Sequence, residues 1–443
     1  MAKSTKLCVL LLLLFSLALQ AQESPPRPDT EGEAAEEERG SELSKDQKKE
    51  LKAAERGLKR AIRAKDADGI AQWVEALGMF GTERSIDLIL RAGEAYTGDP
   101  VRTSVRNALL WSRHKGGIHY LRAKLAKSKS QARALIIIEV LADLEGEKSA
   151  LPLLTVLENS KNPALLTAAL QSLRHKPFKS VVEGLIRFYQ KVEGEQDSLW
   201  AETRICLLAL TNEKYTIYED WVNWWEIQRH DWKPLAVQNE SNALTAVYRP
   251  DRDLKLPKIF GNEIASKRVV FVIDSSKSME KVDETSAEEG SKAGGQSRME
   301  RAKRELIKVI LELRRDVKFN IIAFNSNITV WQEEKLVAAS KSNKDRAIKF
   351  INSWEPETYT HTQGALEAAF EIKDFDTLFL LSDGSPTDLE EGDIIETAPI
   401  LEEVKKLNRF RRVTIHTLGF RGANVRFMRD MALQNRGTYN AIR

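Results

Sequence analysis

Between residues 49 and 235 apolar positions recur every three or four residues, the spacing that gives each α-helix one buried stripe. From Arg268 the pattern changes. Val269, Val270, Phe271, Val272 and Ile273 form a continuous apolar run of strand length, as a parallel strand covered on both faces requires. A helix follows, with Met299, Ala302, Leu306, Val309, Ile310 and Leu313 on one face. Residues 319–324 and 328–331, separated by Asn325, Ser326 and Asn327, predict a hairpin and therefore one antiparallel edge. Further strands are expected at 378–381, 413–418 and 439–442, with helices near 344–352, 364–372, 396–407 and 425–434. Alternation of this kind predicts a doubly wound, mostly parallel α/β sheet at the C-terminal end.

The helical part carries a repeat. Leu77, Leu109, Leu141 and Leu173 fall 32 residues apart, each followed by a polar or glycine-containing turn and a second apolar stretch. Two helices per repeat, stacked side by side, make an all-α solenoid. The pattern resembles HEAT-type repeats. Trp221, Trp224, Trp225 and Trp232 come after the last copy and read as a seal over its open apolar end. A ligand-stacking platform is the other use for such a cluster.

At 443 residues, 42% hydrophobic and 30% charged, the chain is long enough for two or three packed domains. Its net charge of +3 gives no global pull towards nucleic acid or membrane. The first residues do change the picture. Lys3 and Lys6 precede an apolar run at 7–19 that ends at Gln20, Ala21 and Gln22. The run is shorter than the roughly 20 residues that span a bilayer, so residues 1–21 read as a secretory signal peptide. The mature chain is then expected to be secreted or periplasmic, with no membrane span. Loss of Cys8 with the leader would leave Cys206 alone in an apolar stretch, a buried thiol rather than half of a disulfide. The expected organisation is signal peptide 1–21, disordered acidic linker 22–48, solenoid 49–235, connector 236–265 and α/β domain 266–443.

In a doubly wound sheet, ligands bind at the carboxyl ends of the strands. There the first strand runs into Asp274-Ser275-Ser276-Lys277-Ser278, a D-x-S-x-S sequence. A middle loop reads Thr358-Tyr359-Thr360-His361-Thr362, and the fourth strand ends in Ser382-Asp383-Gly384. Hydroxyl and carboxylate oxygens from three loops, with no thiolate, suit a hard divalent ion such as Mg²⁺ or Mn²⁺. Two carboxylates and a divalent ion sum to about zero, so an added anion is not repelled.

These residues resemble the metal-ion-dependent adhesion site of the von Willebrand factor A family, and the resemblance extends over about 266–443, including Gly437-Thr438-Tyr439. It implies Ser276, Ser278 and Thr360 as direct metal ligands, with Asp274 and Asp383 binding directly or through water. It also implies Mg²⁺, Mn²⁺ or Ca²⁺ as the ion, and a sixth position open to an acidic side chain of a protein partner. The whole layout is similar to exported bacterial proteins with this domain. The middle loop departs from the Gly-Gly-Thr-Asn-Thr of many relatives, and so lacks the backbone freedom of two glycines. His361 is expected to face solvent.

Charge around the site adds detail. Residues 280–300 hold six acids (Glu280, Asp283, Glu284, Glu288, Glu289, Glu300) and three bases (Lys281, Lys292, Arg298); Asp388, Glu390, Glu391 and Asp393 follow the fourth strand. Such a rim selects a partner with one carboxylate among basic groups, admits an extra Ca²⁺, or is a solvated loop. In the solenoid, Arg102, Arg106, Arg113, Lys115, Arg122, Lys124, Lys127, Lys129 and Arg133 offer a surface to an acidic partner. Nucleic acid is not expected, because stacking aromatics are sparse there.

No H-E-x-x-H, Cys-x-x-Cys, Walker loop or G-x-S-x-G occurs. A phosphoryl-transfer site built on Asp274 would need a second Asp where Ser276 stands. The expectation is a non-enzymatic protein that binds its partner through a divalent cation. The alternative is a metal-independent scaffold whose solenoid carries the interaction.

Overall fold

The computed structural model describes residues 43–112, 117–234, 256–282 and 296–442. The expected signal peptide and most of the expected linker lie outside the described residues. The first described helix, α1 (Lys45–Ala64), starts four residues before the apolar pattern does, because Ser44 and Gln47 form a capping box ahead of it.

Among the described residues, ten helices then alternate between two rows. One row holds α2 (Ala67–Gly78), α4 (Val101–Trp111), α6 (Gln131–Ala142), α8 (Pro163–Leu173) and α10 (Ser198–Thr211). The other holds α3 (Glu83–Ala95), α5 (Gly117–Lys127), α7 (Leu151–Asn159), α9 (Lys179–Val192) and α11 (Tyr218–Gln228). Each helix packs on the next member of its own row. The four register leucines, Leu77, Leu109, Leu141 and Leu173, are all fully buried near the ends of first-row helices. Polar caps set the turns: Asp66, Thr82, Ser130, Asn162 and Asp197 each accept a backbone N–H of the helix they open. At the far end Trp221 is fully buried, with Tyr215 and Trp224 edge-on at 5.1 and 5.9 Å. The tryptophan cluster is thus a seal on the array.

The basic stretch at 102–133 is substantially paired inside the array. Arg106 lies 2.7 Å from Asp143, Lys124 2.9 Å from Asp87, Arg133 2.6 Å from Glu94 and Arg102 3.8 Å from Glu139. These acids sit on neighbouring helices, which the linear charge count did not capture. Arg113 and Lys115 lie outside the described residues.

The C-terminal part is the expected α/β sheet, with strand order β5-β4-β3-β7-β8-β9. Strands β3 (Arg268–Asp274), β4 (Lys318–Phe324), β7 (Thr377–Ser382), β8 (Thr414–Gly419) and β9 (Tyr439–Ala441) are parallel; β5 (Ile328–Val330) runs antiparallel to β4, as the hairpin predicted. A short β6 (Val337–Ala338) also pairs with β4. Alternate residues of β3 enter two cores. Val269, Phe271 and Ile273 pack with α12 (Arg298–Glu312) and α13 (Lys341–Asn352). Val270 and Val272 pack with α14 (Thr362–Glu371), α15 (Ala398–Asn408) and α16 (Val425–Gln434) on the other face.

Part of the expected connector belongs to this domain. A hairpin of β1 (Lys258–Ile259) and β2 (Asn262–Glu263) buries Ile259 and Ile264 in the first of these cores. Residues 235–255 lie outside the described residues.

The helical array meets the sheet at the amino ends of its strands. Asp376, just before β7, accepts from Ser198 of α10 at 3.0 Å and from Arg268 at 3.0 Å. The turn before β8 reaches into the array: Arg409 donates to the Tyr96 carbonyl at 2.8 Å, and Phe410 packs on the helical core. Seven residues of β3 span roughly 20 Å, so this joint and the carboxyl ends of the strands are at opposite edges.

Candidate metal centre

After β3 the chain passes to β4 on one side and later to β7 on the other, so the sheet has its switch point between β3 and β7. Asp274 ends β3 and Ser382 ends β7; the loops that follow them carry the D-x-S-x-S and Asp-Gly residues.

Asp274 is fully buried. Its Oδ1 accepts the Ser276 N–H at 2.8 Å and its Oδ2 accepts the Ser382 hydroxyl at 2.6 Å. Alternation in the motif sorts the serines. Ser275 turns to β4 and donates to the Phe324 carbonyl at 3.1 Å. Ser276 and Ser278 turn the other way, their hydroxyl oxygens 3.0 Å apart, and Ser278 donates to Asp383 Oδ1 at 2.6 Å. A methyl group placed on Gly384 would lie 3.8 Å from both Ser278 Oγ and Thr360 Oγ1, so Thr360 closes the same cluster. Asp274, Ser276, Ser278 and Asp383 are thus joined contact by contact, and Thr360 shares Gly384 with Ser278 as a neighbour.

Thr360 is held from two sides. Its N–H donates to Thr387 Oγ1 at 2.9 Å, and its carbonyl accepts the Thr387 N–H at 3.2 Å. A bridge between Ser276 and Glu357 keeps the middle loop beside the serine loop. Among the described residues, none from 358 to 362 has positive φ, so this loop does without the two glycines of many relatives. His361 is half-buried rather than solvent-facing, and its ring lies over Gly364, where a Cβ would meet it at 2.6 Å.

Burial, and secondarily the charge of Asp383, pushes the Asp274 carboxyl up to about 6. Two buried carboxylates in one pocket call for positive charge. One source is in the chain: Arg298 Nη1 lies 2.6 Å from Asp383 Oδ2, with both side chains buried. Sequence reasoning counted Arg298 among the bases of a polar insertion and missed this role. The signal was present. Ser297-Arg298-Met299-Glu300 is a capping box, and a base in the first turn of a helix opposes the helix dipole unless it has an acidic partner.

The donor set fits a hard cation. Adjacent ligands of an octahedral ion with bonds near 2.1 Å are about 3 Å apart, which is the separation of the two serine oxygens. Hydroxyls supply most of the set; among the described residues no group of three or more His, Cys, Asp or Glu forms a metal cage. Of the expected charged rim, Asp283, Glu284, Glu288, Glu289 and Lys292 lie outside the described residues. Asp388 is used within its own loop, where its carboxylate accepts four backbone N–H groups from residues 390 to 393 and is held below its usual range by them.

Fold and site together define an α/β domain with an oxygen cluster at its switch point. Residues 269–385 match the family model for the von Willebrand factor type A domain. The C-terminal domain is of that type, preceded by a long helical region. The chain is 27% identical over 188 residues to human von Willebrand factor A domain-containing protein 3A, covering 41% of this chain and 14% of that protein. It is 30% identical over 191 residues to pig inter-alpha-trypsin inhibitor heavy chain H1, covering 40% and 19%. It thus spans under a fifth of either relative. Among solved structures, a von Willebrand factor type A protein from Catenulispora acidiphila is 22% identical over 41% of this chain and 40% of its own, with a TM-score of 0.33.

Proposed function

We propose that this chain is an exported, non-enzymatic adhesion or assembly protein whose C-terminal domain holds a protein partner through a divalent cation. Ser276, Ser278 and Thr360 bind the ion, and Asp274 and Asp383 balance its charge and orient the hydroxyls. The ion serves as a Lewis-acid contact for an acidic side chain of the partner. What supports this reading is the unbroken run of contacts from Ser382 through Asp274, Ser276 and Ser278 to Asp383, with links of 2.6 to 3.0 Å. Mg²⁺ and Mn²⁺ suit that spacing best, and Ca²⁺ prefers longer bonds.

The rival scaffold reading loses ground, because much of the basic stretch is paired within the array. Export rests on the basic start and short apolar run at 1–21, and the mass of the mature chain tests it. No described helix is long and apolar enough to cross a membrane.

Calorimetric titration of the full chain with Mg²⁺ and Mn²⁺, beside Asp274→Ala, tests the site. Saturable binding that disappears in the variant is the expected result. No heat with either ion, from folded protein, would remove the metal reading.

A further inference from the structure

The site contains a permanent cation of its own. Arg298 is the first residue of α12, where a guanidinium is disfavoured by the helix dipole and costly to bury. Its position is nevertheless fixed. Ser297 caps the helix in a reciprocal box with Glu300, the Arg298 N–H donates to the Lys281 carbonyl at 2.9 Å, and Val282 bridges to Ser297. This clasp aims the guanidinium at Asp383 Oδ2, at 2.6 Å.

The two oxygens of Asp383 therefore have separate duties. Oδ1 accepts from Ser278 on the hydroxyl side, and Oδ2 is taken by Arg298. A carboxylate so divided cannot offer both oxygens to one cation; it orients a hydroxyl and supplies a single edge.

We propose that Arg298 is a positioning residue that sets the charge of this site, and thereby its selectivity for a partner with a single carboxylate. The inference rests on the metal-binding reading above. Asp274 and Asp383 contribute −2, Arg298 +1 and the cation +2, so the loaded site carries +1. The sequence-based sum of about zero omitted Arg298. One carboxylate from a partner is attracted and brings the site to neutrality, so a second gains no net attraction from it.

A neutral residue at 298 makes the empty site more negative and the loaded site less positive. Cation affinity and carboxylate affinity must then move in opposite directions. A purely structural role would weaken both or leave both unchanged.

The test uses the full chain, wild type beside R298Q, titrated with Mn²⁺ and then, Mn²⁺-loaded, with acetate. R298Q is expected to bind Mn²⁺ at least about tenfold more tightly and acetate at least about tenfold more weakly, as one unit charge beside the ion at intermediate dielectric dictates. If R298Q does not fold, R298M keeps a long side chain without the charge and must show the same opposed changes. Both affinities falling together, or neither changing, overturns the role of Arg298 and leaves the metal site standing. So does a wild type that binds Mn²⁺ but takes up no acetate. Absence of Mn²⁺ binding in both proteins overturns the metal reading and this inference with it.

Discussion

The hydroxyl of Ser382 lies 2.6 Å from Asp274 Oδ2, a hydrogen bond that ties the end of β7 to the end of β3 across the switch point. The bond does not offset the burial of the carboxylate, whose pKa rises from 3.8 to about 6. Because the folded value is the higher one, ionised Asp274 costs stability that is fully present above pH 6 and absent below about 4. Asp274→Asn keeps an acceptor for the Ser276 N–H and presents an amide donor to Ser382. The variant should be more stable than wild type at pH 7 in EDTA, by about 1–3 kcal/mol, and should lose all stabilisation by Mg²⁺. Urea melts with and without Mg²⁺ measure both effects. Equal destabilisation in the two buffers would show that Asp274 is structural.

His416 supplies an opposite slope. Its ring stacks on Phe379 at 4.9 Å, and Nδ1 accepts the Thr438 N–H at 3.2 Å. Burial holds its pKa down to about 4. The folded value is below the unfolded one, so stability is complete above pH 6.5 and is lost as the pH falls towards 4. Asp274 and His416 partly cancel in wild type across this range. His416→Gln removes one side of the balance, so its stability relative to wild type should rise by about 3 kcal/mol between pH 7 and pH 4. Urea melts in EDTA across this range decide it, and a constant offset between the two proteins would refute the assignment.

Much of this architecture was legible in the sequence because local patterns encode it. The run at 269–273 announced a strand covered on both faces, and the leucines at 77, 109, 141 and 173 marked the repeat that buries them. The motif residues fell on strand ends, where a doubly wound sheet gathers its ligands. What stayed hidden were pairings between residues distant in sequence. Arg298 meets Asp383 across 85 positions, and Arg133 meets Glu94 across 39. A charge count along the chain saw one as part of a loop and the other as part of a docking surface. The β1–β2 hairpin escaped because its strands are too short to show a period.

The middle loop is also packed against the loop that follows β7. The Tyr359 ring lies against Gly392, which has φ +80°, and a Cβ there would meet the ring at 2.7 Å. Gly392→Ala is strained by its backbone and displaces Tyr359, the neighbour of Thr360. Mn²⁺ affinity is expected to fall by about tenfold, the scale of one loosened ligand, while global stability drops by only about 1–2 kcal/mol. Unchanged affinity in titration calorimetry would mean that Thr360 is positioned by Thr387 alone.

At the opposite edge of the sheet, Arg412 lies 2.6 Å from Glu139 of α6. Its guanidinium is largely buried, and desolvation holds its pKa below the usual arginine range. Removing the acid leaves that charge at the joint without its nearest counter-ion, since Arg102, the other group near Glu139, is also cationic. Glu139→Ala should therefore cost about 2–4 kcal/mol and weaken the contact between array and α/β domain. Scanning calorimetry should then resolve two transitions, with the array and the sheet melting separately. Mn²⁺ affinity should stay at the wild-type value, because the hydroxyl cluster sits at the other end of β3. A change in Mn²⁺ affinity in this variant would mean that the helical array and the site are energetically coupled, and that the array does more than carry the domain.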